Sequence, residues 1–597
     1  MPSKSEKQTH QEEPLWVFPK NNPKWKKNIV KEFKIHPVTA QILVSRGFSS
    51  FEEIHQYLYS KLPDLHDPFL FKEMQSAVDR ICKALRNQEK IMIYGDNDVD
   101  GMTGTALLTE FLQFIGCDVI YYVASPSSHR KEMLVEALED AMQNNCRVVV
   151  TVDCGITAEK EVAKFTAKGI DVIITDHHEP TPPLPKCIAL LNPKLPDNTY
   201  PDRNLTGVGV AFKFAHGIAN QLVSEGLLSP KKIDLKRYLD LVALGTISDM
   251  GALHGENRIL VRYGLVQMKK GKRLGLAKLI SVCELDAEEL NTYTIASRIG
   301  PPLNSLGRIA NANDGVKLLI IRNNKAAEIL AMELGLNNIE RQKIERAMSE
   351  EMEAKLKNQP EILKNKAVVL SSNRWHPGII PILATRLSKQ YNRPTFIIAI
   401  DNKFGKCSMR SIPEFPLLPA LKESADILEN FGGHDYAAGM IIKEENVELF
   451  KKRILDIANG QLKEQDVKNK LYVDAEVNFS DLTYDCLESI RLLEPFGNEN
   501  PPPVLCTEAT QAWPPKVVGK VQERAHLKLF LEQEERLVEG IALYRASDSS
   551  KLRQPDLTLM VAFTPQTDSI RNHSPLQFLI RDFKIKEPIK SRSKIGR

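Results

Sequence analysis

The sequence predicts an α/β protein with two α/β lobes joined by a long helix and followed by a small β-barrel or sandwich. Three observations carry this. Between residues 90 and 176, near-continuous apolar runs alternate with amphipathic helical stretches, the pattern of a parallel sheet covered on both faces. From 325 to 358, "KAAEILAMELGLNNIERQKIERAMSEEMEAKLKN" keeps helical periodicity without a proline. After about residue 458, short alternating segments separated by turns take over.

Element by element, residues 1–65 suggest an N-terminal arm with one short helical piece. "KIMIYG" (90–95) is an apolar strand ending in glycine, and "TGTALLTEFLQFI" (103–115) has helical spacing. "RVVVTVD" (147–153) is a second strand, "AEKEVAKFTAKG" (158–169) a helix with a glycine stop, and "IDVIITD" (170–176) a third strand. "LKRYLDLVALGTISDM" (235–250) suggests a helix that breaks near Gly245. Strands return at "AVVL" (367–370) and "PTFIIAI" (394–400), with a helix between them. The last region offers "VVGKVQE", "HLKLFLE", "LVEGIALY" and "LTLMVAFTP" as short strands. The expected domains are therefore 1–65, 66–324, the connecting helix 325–358, 359–457, and 458–597 with a basic tail.

Composition excludes several classes. The start, "MPSKSEKQTHQEEPLW", lacks the apolar core of a signal peptide. Runs such as "FIIAI" are too short to span a bilayer, so no membrane is expected. The 9 cysteines form no C-x-x-C pair, which favours a reducing, cytoplasmic setting. A net charge of +4 permits a nucleic-acid partner without arguing for one. The basic stretches "KWKKNIVKEFK" and "KIKEPIKSRSKIGR" fit solvated faces better than binding patches.

Open parallel sheets bind ligands beyond the carboxyl ends of their strands. Acids and histidines stand there. "YGDNDVDG" supplies Asp96, Asp98 and Asp100, and "VDCG" supplies Asp153. "TDHHEP" supplies Asp176, His177 and His178, and "GTISDM" supplies Asp249. A single Asp after a strand is commonly a turn or N-cap residue. Four such clusters at successive element ends are hard to explain as caps. Together they would repel one another unless protonated or neutralised by cations. Carboxylates with one or two imidazoles suit Mn²⁺ or Mg²⁺ better than zinc. Two such ions activate water and stabilise charge on phosphorus, so phosphoester hydrolysis is the natural reaction.

These four motifs resemble, in order, those of the DHH phosphoesterase superfamily, and most closely its RecJ family of single-strand-specific 5′→3′ DNA exonucleases. The resemblance continues through "LNPKLPDNTYPDRNLTGVGVAFKFA", "IGPPLNSLGR", "RWHPGIIPILATRL", "GKCSMRSI", "FGGHDYAAG" and "LEPFGNENPPPVL", covering residues from about 70 to 585. It implies a DHH catalytic domain, a DHH-associated domain and a C-terminal OB-fold-like barrel. It also implies two divalent ions held by Asp96, Asp98, Asp100, Asp153, His177 and Asp249. His178 stands at the metals and Asp176 orients a histidine. Arg308, His376, Ser408, Arg410, Ser411, Gly432, Gly433 and His434 would hold substrate phosphate. Backbone N–H groups of paired glycines and the fork of an arginine are suited to that.

In the barrel, Trp513, Lys516, Lys520, Arg524 and Tyr544 are candidates for base stacking and backbone tracking. The family role implies DNA repair and recombination, with single-strand-binding protein and a helicase as partners. The sequence departs from the family pattern at 123–134, "VASPSSHRKEML", which lacks the usual Pro-x-Arg segment and the Gly-Tyr-Gly-Leu after it, with Arg130 the candidate for the missing arginine. Pro302 replaces an Arg, and Arg374, Pro381 and Glu499 each replace a Gly. Two other readings stay open: a relative acting on short oligoribonucleotides or small nucleotides, and a binding scaffold without catalysis.

Overall fold

The computed structural model describes residues 14–19, 21–123, 130–519, 525–554, 557–567 and 576–586, with the side chains of 130–135 set aside. The chain divides into two compact units. One comprises Ser60–Val467 with Pro495–Asn500; the other comprises Met1–Tyr59, Lys468–Glu494 and Pro501–Arg597.

The larger unit contains both α/β lobes. The first is built on five strands: β1 Ile91–Gly95, β2 Val119–Val123, β3 Val148–Val152, β4 Asp171–Thr175 and β5 Ala189–Leu191. All pair in parallel, in the order β2-β1-β3-β4-β5. Every residue of β1 and β3 is buried. Alternation explains this. Ile91, Ile93, Val148, Val150 and Val152 face one core. Met92, Tyr94, Val149, Val172 and Ile174 face another, against Phe165, Ala137 and Leu138. Strand order reverses at β1, because β2 lies on one side of it and β3 on the other. That opens a crevice at their carboxyl ends.

The helices that matter for the site are α1 Val99–Phe114, α2 Glu159–Ala167, α3 Gly207–Ser224 and α4 Leu239–Ser248. Helix α4 corrects the sequence reading, for it does not break at Gly245. A Cβ at that position would lie 2.3 Å from Thr103 Oγ1 and 2.8 Å from Asp100 Oδ1. The glycine is there so that α4 can approach α1, and the chain turns only at Asp249 and Met250 (φ 59°).

The long helix α5, Asn324–Asn358, spans 35 residues and is capped by the Asn323 side chain accepting from Ala326 N. Leu330, Ala331 and Leu334 join the core of the first lobe. Met348, Met352 and Leu356 join that of the second. The second lobe carries β6 Val368–Ser372, β7 Thr395–Asp401, β8 Phe404–Arg410, β9 Leu428–Gly433 and β10 Ala437–Lys443. Their order is β9-β10-β8-β7-β6, with only β6–β7 parallel. The segment from β8 to β10 thus forms antiparallel pairs that the sequence reading did not find.

In the smaller unit, residues 23–59 form three helices, Pro23–Phe33, Pro37–Ser45 and Phe51–Tyr59, where one short helical piece was expected. Two of them start with proline at the first turn, a position that tolerates it and that the apolar pattern alone does not reveal. Strand Leu15–Val17 pairs in parallel with Lys470–Tyr472. The C-terminal strands are Leu505–Val518, His526–Gln533, Arg536–Ala542, Thr558–Thr567 and Leu576–Ile585. They close into a barrel because the first pairs with the fourth, Leu505 opposite Phe563. That decides between barrel and sandwich. Inside it, Phe563 stacks on Phe578 with ring centroids 3.7 Å apart. Among the described residues, no helix is long and apolar enough to cross a membrane.

Candidate metal centre

The crevice of the first lobe gathers all eight acids and histidines that follow its strands and α4. Asp98 is the N-cap of α1, its Oδ1 accepting from Gly101 N at 3.0 Å. It also belongs to a donor group with Asp96 and Asp153, so capping and ligation are compatible. Asp100, one position into α1, is buried. Its carboxylate accepts from the first amides of α3, Gly207 N at 2.6 Å and Val208 N at 3.0 Å. The positive end of the helix supports that charge. Asp153 leaves β3 in the left-handed region (φ 62°), with its N–H bonded to Thr175 O at 2.9 Å. A Cβ on Gly207 would lie 2.5 Å from Asp153 Cβ, so only glycine lets α3 come this close.

His177 Nε2 lies 3.0 Å from Asp153 Oδ1, 3.7 Å from Asp249 Oδ2 and 4.0 Å from Asp100 Oδ2. Asp176 sits behind the histidines. Its Oδ1 accepts from His177 N (2.7 Å) and His178 N (3.1 Å) and lies 2.8 Å from His178 Nδ1; its Oδ2 accepts from Ile156 N (2.9 Å). Three overlapping groups could each hold a cation: Asp96/Asp98/Asp153, Asp153/His177/His178 and Asp100/His177/Asp249. Asp153 and His177 each belong to two of them; the carboxylate of Asp153 has oxygens for two ions, whereas a neutral imidazole such as His177 offers one lone pair to one ion.

The electrostatics call for cations. Burial, then Asp98, pushes Asp100 up to about 7 despite its two amide partners. Burial, then the neighbouring carboxylates, raises Asp153 and Asp249 well above the usual range. Burial, then His178, lowers His177 to about 3. Asp176 is the exception. Burial would raise it, but the charge and hydrogen bonds of His178 outweigh this and hold it well below a normal carboxylate.

A direct fit is visible at Asp153. Its Oδ1 is buried and makes no hydrogen bond among the described residues, although His177 Nε2 approaches to 3.0 Å. A lone pair left bare in a buried site is what a metal ion would satisfy. Oxygen donors with imidazole and no thiolate fit Mn²⁺ or Mg²⁺. Cys154, next in sequence, belongs to none of the three groups.

The second lobe reaches the same centre. Gly432 and Gly433 end β9, and the His434 ring lies 6.2 Å from that of His178, within 10° of parallel. Arg410 ends β8, and its Nη1 donates to Met409 O at 2.9 Å and contacts the Oγ of buried Ser408 at 3.5 Å. Arg308 donates to Gly378 O at 2.7 Å, and burial, then Arg341, lowers it to about 10. Asp98 and Arg410 also act on Arg308, which places it near both lobes' sites. His376 and Ser411 are turned to local tasks. His376 Nδ1 accepts from Gly378 N at 3.1 Å, and Ser411 Oγ donates to Phe415 O.

On the barrel, Trp513 and Tyr544 are exposed. Trp513 packs edge-on to Phe530, and Lys516 Nζ stands 5.4 Å over the Phe530 ring. Lys520, Arg524, residues 124–129 and the Arg130 side chain lie outside the described residues.

Sequence reasoning missed several residues here. Asn304 accepts from Val99 N at 3.2 Å and so steadies the start of α1. Asn192, buried, donates to His178 O at 2.8 Å. Lys194 follows it. Both Asn192 and Lys194 lie in the "LNPKLPD" stretch, but neither type carries a recognisable chemical spacing. The departures are locally accommodated. Pro381 falls in the first turn of helix Ile380–Tyr391, where its missing N–H is not needed. Glu499 takes φ 57°, the conformation that favours glycine.

A parallel sheet of this order with these acid and histidine clusters at its carboxyl edge defines a member of the DHH family. The description "DHH family, N-terminal domain" matches residues 90–246, "DHHA1 domain" matches 364–460 and "RecJ OB domain" matches 473–582. The single-stranded-DNA-specific exonuclease RecJ of Bacillus subtilis is 35% identical over 563 residues, 94% of this chain and 70% of that protein. RecJ of Haemophilus influenzae is 30% identical over 562 residues, 91% of this chain and 96% of that one. The crystal structure of RecJ from Thermus thermophilus in complex with Mn²⁺ superposes with a TM-score of 0.78 at 28% identity, covering 96% of this chain and 80% of that one. The chain belongs to the RecJ family.

Proposed function

We propose that this chain is a metal-dependent exonuclease specific for single-stranded DNA, which releases 5′-mononucleotides in the 5′→3′ direction. The observation that carries the reading is the bare Asp153 carboxylate at the junction of donor groups, with the His434 ring of the second lobe lying against that of His178. Asp96, Asp98, Asp100, Asp153, His177 and Asp249 would hold two Mn²⁺ or Mg²⁺ ions. When bound, such a pair would lower the pKa of a bound water and offset charge on the phosphate.

The remaining work falls to the chain itself. Asp176 fixes the orientation of His178 and stabilises it when protonated. Gly207 N and Val208 N aim Asp100 and favour its ionised form. The exposed glycine backbone at Gly432–Gly433, with His434 and Arg410, suits the non-bridging oxygens of the scissile phosphate. Trp513 and Tyr544 offer stacking surfaces for a single strand. The family supports a role in DNA repair and recombination in the cytoplasm, beside single-strand-binding protein and a helicase.

The test is digestion of a long single strand labelled at either end in Mn²⁺, beside its duplex and a three-nucleotide RNA. Loss of the 5′ label as mononucleotide, abolished by Asp153→Ala, is expected. Cleavage of the short RNA alone would overturn the reading.

A further inference from the structure

Lys194 is held against the centre by the chain that follows β5. The buried Asn192 clamps this segment to the histidine loop, donating through Nδ2 to His178 O (2.8 Å) and accepting through Oδ1 from Lys194 N (2.8 Å). Asn192 O in turn accepts from Asn198 Nδ2 at 3.1 Å. The backbone of Lys194 is therefore fixed relative to His177 and His178.

Its side chain is mostly covered, with 25% exposure. Among the described residues the ammonium has one charged partner, Glu179 Oε1 at 3.3 Å, and that carboxylate is 57% exposed. A single contact of this kind contributes little to stability and leaves most of the ammonium's three donor directions unused. Glu179 directly follows His178, so this pair holds the Lys194 side chain beside the histidine loop.

A lysine at the rim of two cation sites needs a reason. Asp96, Asp98, Asp100, Asp153 and Asp249 carry five negative charges against the four positive charges of two divalent ions, so the filled centre has no surplus of positive charge to offer an anionic substrate. A cation at the rim offsets the charge that such an anion brings. A phosphodiester is such an anion, and lysine binds phosphate as a compact point charge with freely turning donors.

We propose that Lys194 binds a non-bridging oxygen of the substrate phosphate, opposite His434 and Arg410, and so is a further substrate-binding residue of the reaction. This rests on the exonuclease reading above. Lys194 grips the phosphate from the first lobe while the glycine–histidine loop grips it from the second. A strand is then held by both lobes at the moment of cleavage.

The experiment compares wild type, Lys194→Gln and Lys194→Arg in full-length protein. The readouts are kcat/KM on a 5′-labelled single strand at several salt concentrations, and Mn²⁺ binding by calorimetry. Lys194→Gln is expected to lose roughly 10- to 100-fold in kcat/KM, the worth of one hydrogen bond to a charged group. Its salt dependence should be shallower by about 0.7 in logarithmic slope, one single-strand phosphate contact. Mn²⁺ affinity should hold, and Lys194→Arg should recover most of the rate. Unchanged kcat/KM and slope in an active Lys194→Gln would overturn the proposal alone. So would a loss matched by weaker Mn²⁺ binding, which marks a structural role. A wild type that digests no single-stranded DNA would overturn the exonuclease reading and this one with it.

Discussion

Alanine at Gly207 is a small change with a large expected effect. Its Cβ would lie 2.5 Å from Asp153 Cβ, 2.7 Å from its Oδ1 and 2.8 Å from its Cγ. Reaching ordinary van der Waals separation needs a retreat of about 1 Å. Asp153 has little room to give, because its N–H is tied to Thr175 O and its backbone already sits in the left-handed region. Helix α3 must move instead, and the Gly207 and Val208 amides move with it, away from Asp100. Overpacking of this kind costs about 1–3 kcal/mol in stability. A misplacement near 1 Å at a reacting centre costs on the order of 100-fold in rate.

The assay is urea unfolding, Mn²⁺ titration and exonuclease turnover of Gly207→Ala. Gly226→Ala serves as control, since Gly226 has φ 70° but nothing within 4 Å of a new Cβ. Gly226→Ala should lose stability through backbone strain and keep its activity. Gly207→Ala should lose Mn²⁺ affinity and turnover. Wild-type affinity and turnover in Gly207→Ala would refute the argument that close packing of α3 aims the ligands.

Asp176→Asn removes the charge that aims His178 and should weaken Mn²⁺ binding or activity roughly 10- to 100-fold, read by titration with Mn²⁺; unchanged affinity would count against Asp176 as the orienting group. The raised carboxyls give a sign for pH. In the metal-free fold, Asp100 (about 7), Asp153 and Asp249 hold protons that the unfolded chain has released, so their contribution to stability is present at low pH and fades as pH rises toward 7. Mn²⁺ must displace those protons. Its affinity should therefore rise between pH 5 and about 7, and calorimetry at pH 6 in buffers of different ionisation enthalpy should detect proton release. A heat independent of buffer would refute it. Glu499→Gly relieves a left-handed non-glycine residue and should stabilise the fold by about 0.5–1 kcal/mol, measured by urea midpoint; a lower midpoint would show that the Glu499 side chain holds the loop.

The strands of the first lobe were legible because each is a nearly unbroken apolar run, and buried parallel strands need that. The site donors were legible because they follow those runs directly. Gly245 was misread for an equally physical reason. A glycine inside a helical pattern signals either a break or a close approach, and only the position of Asp100 and Thr103 distinguishes the two. The β8–β10 strands went unread because "GKCSMRSI" and "FGGHDYAAG" carry too many glycines and polar residues to alternate cleanly.

The sequence by itself determined which residue types can bind cations, and that they stand at strand ends, because both facts are local. Only the tertiary structure decided which ends meet. The amide of Gly207 reaches Asp100 across 107 positions, His434 reaches His178 from another lobe, and the barrel closes through Leu505 and Phe563. No short window encodes these contacts. They follow from packing every apolar face at once, which fixes strand order and helix approach for the chain as a whole.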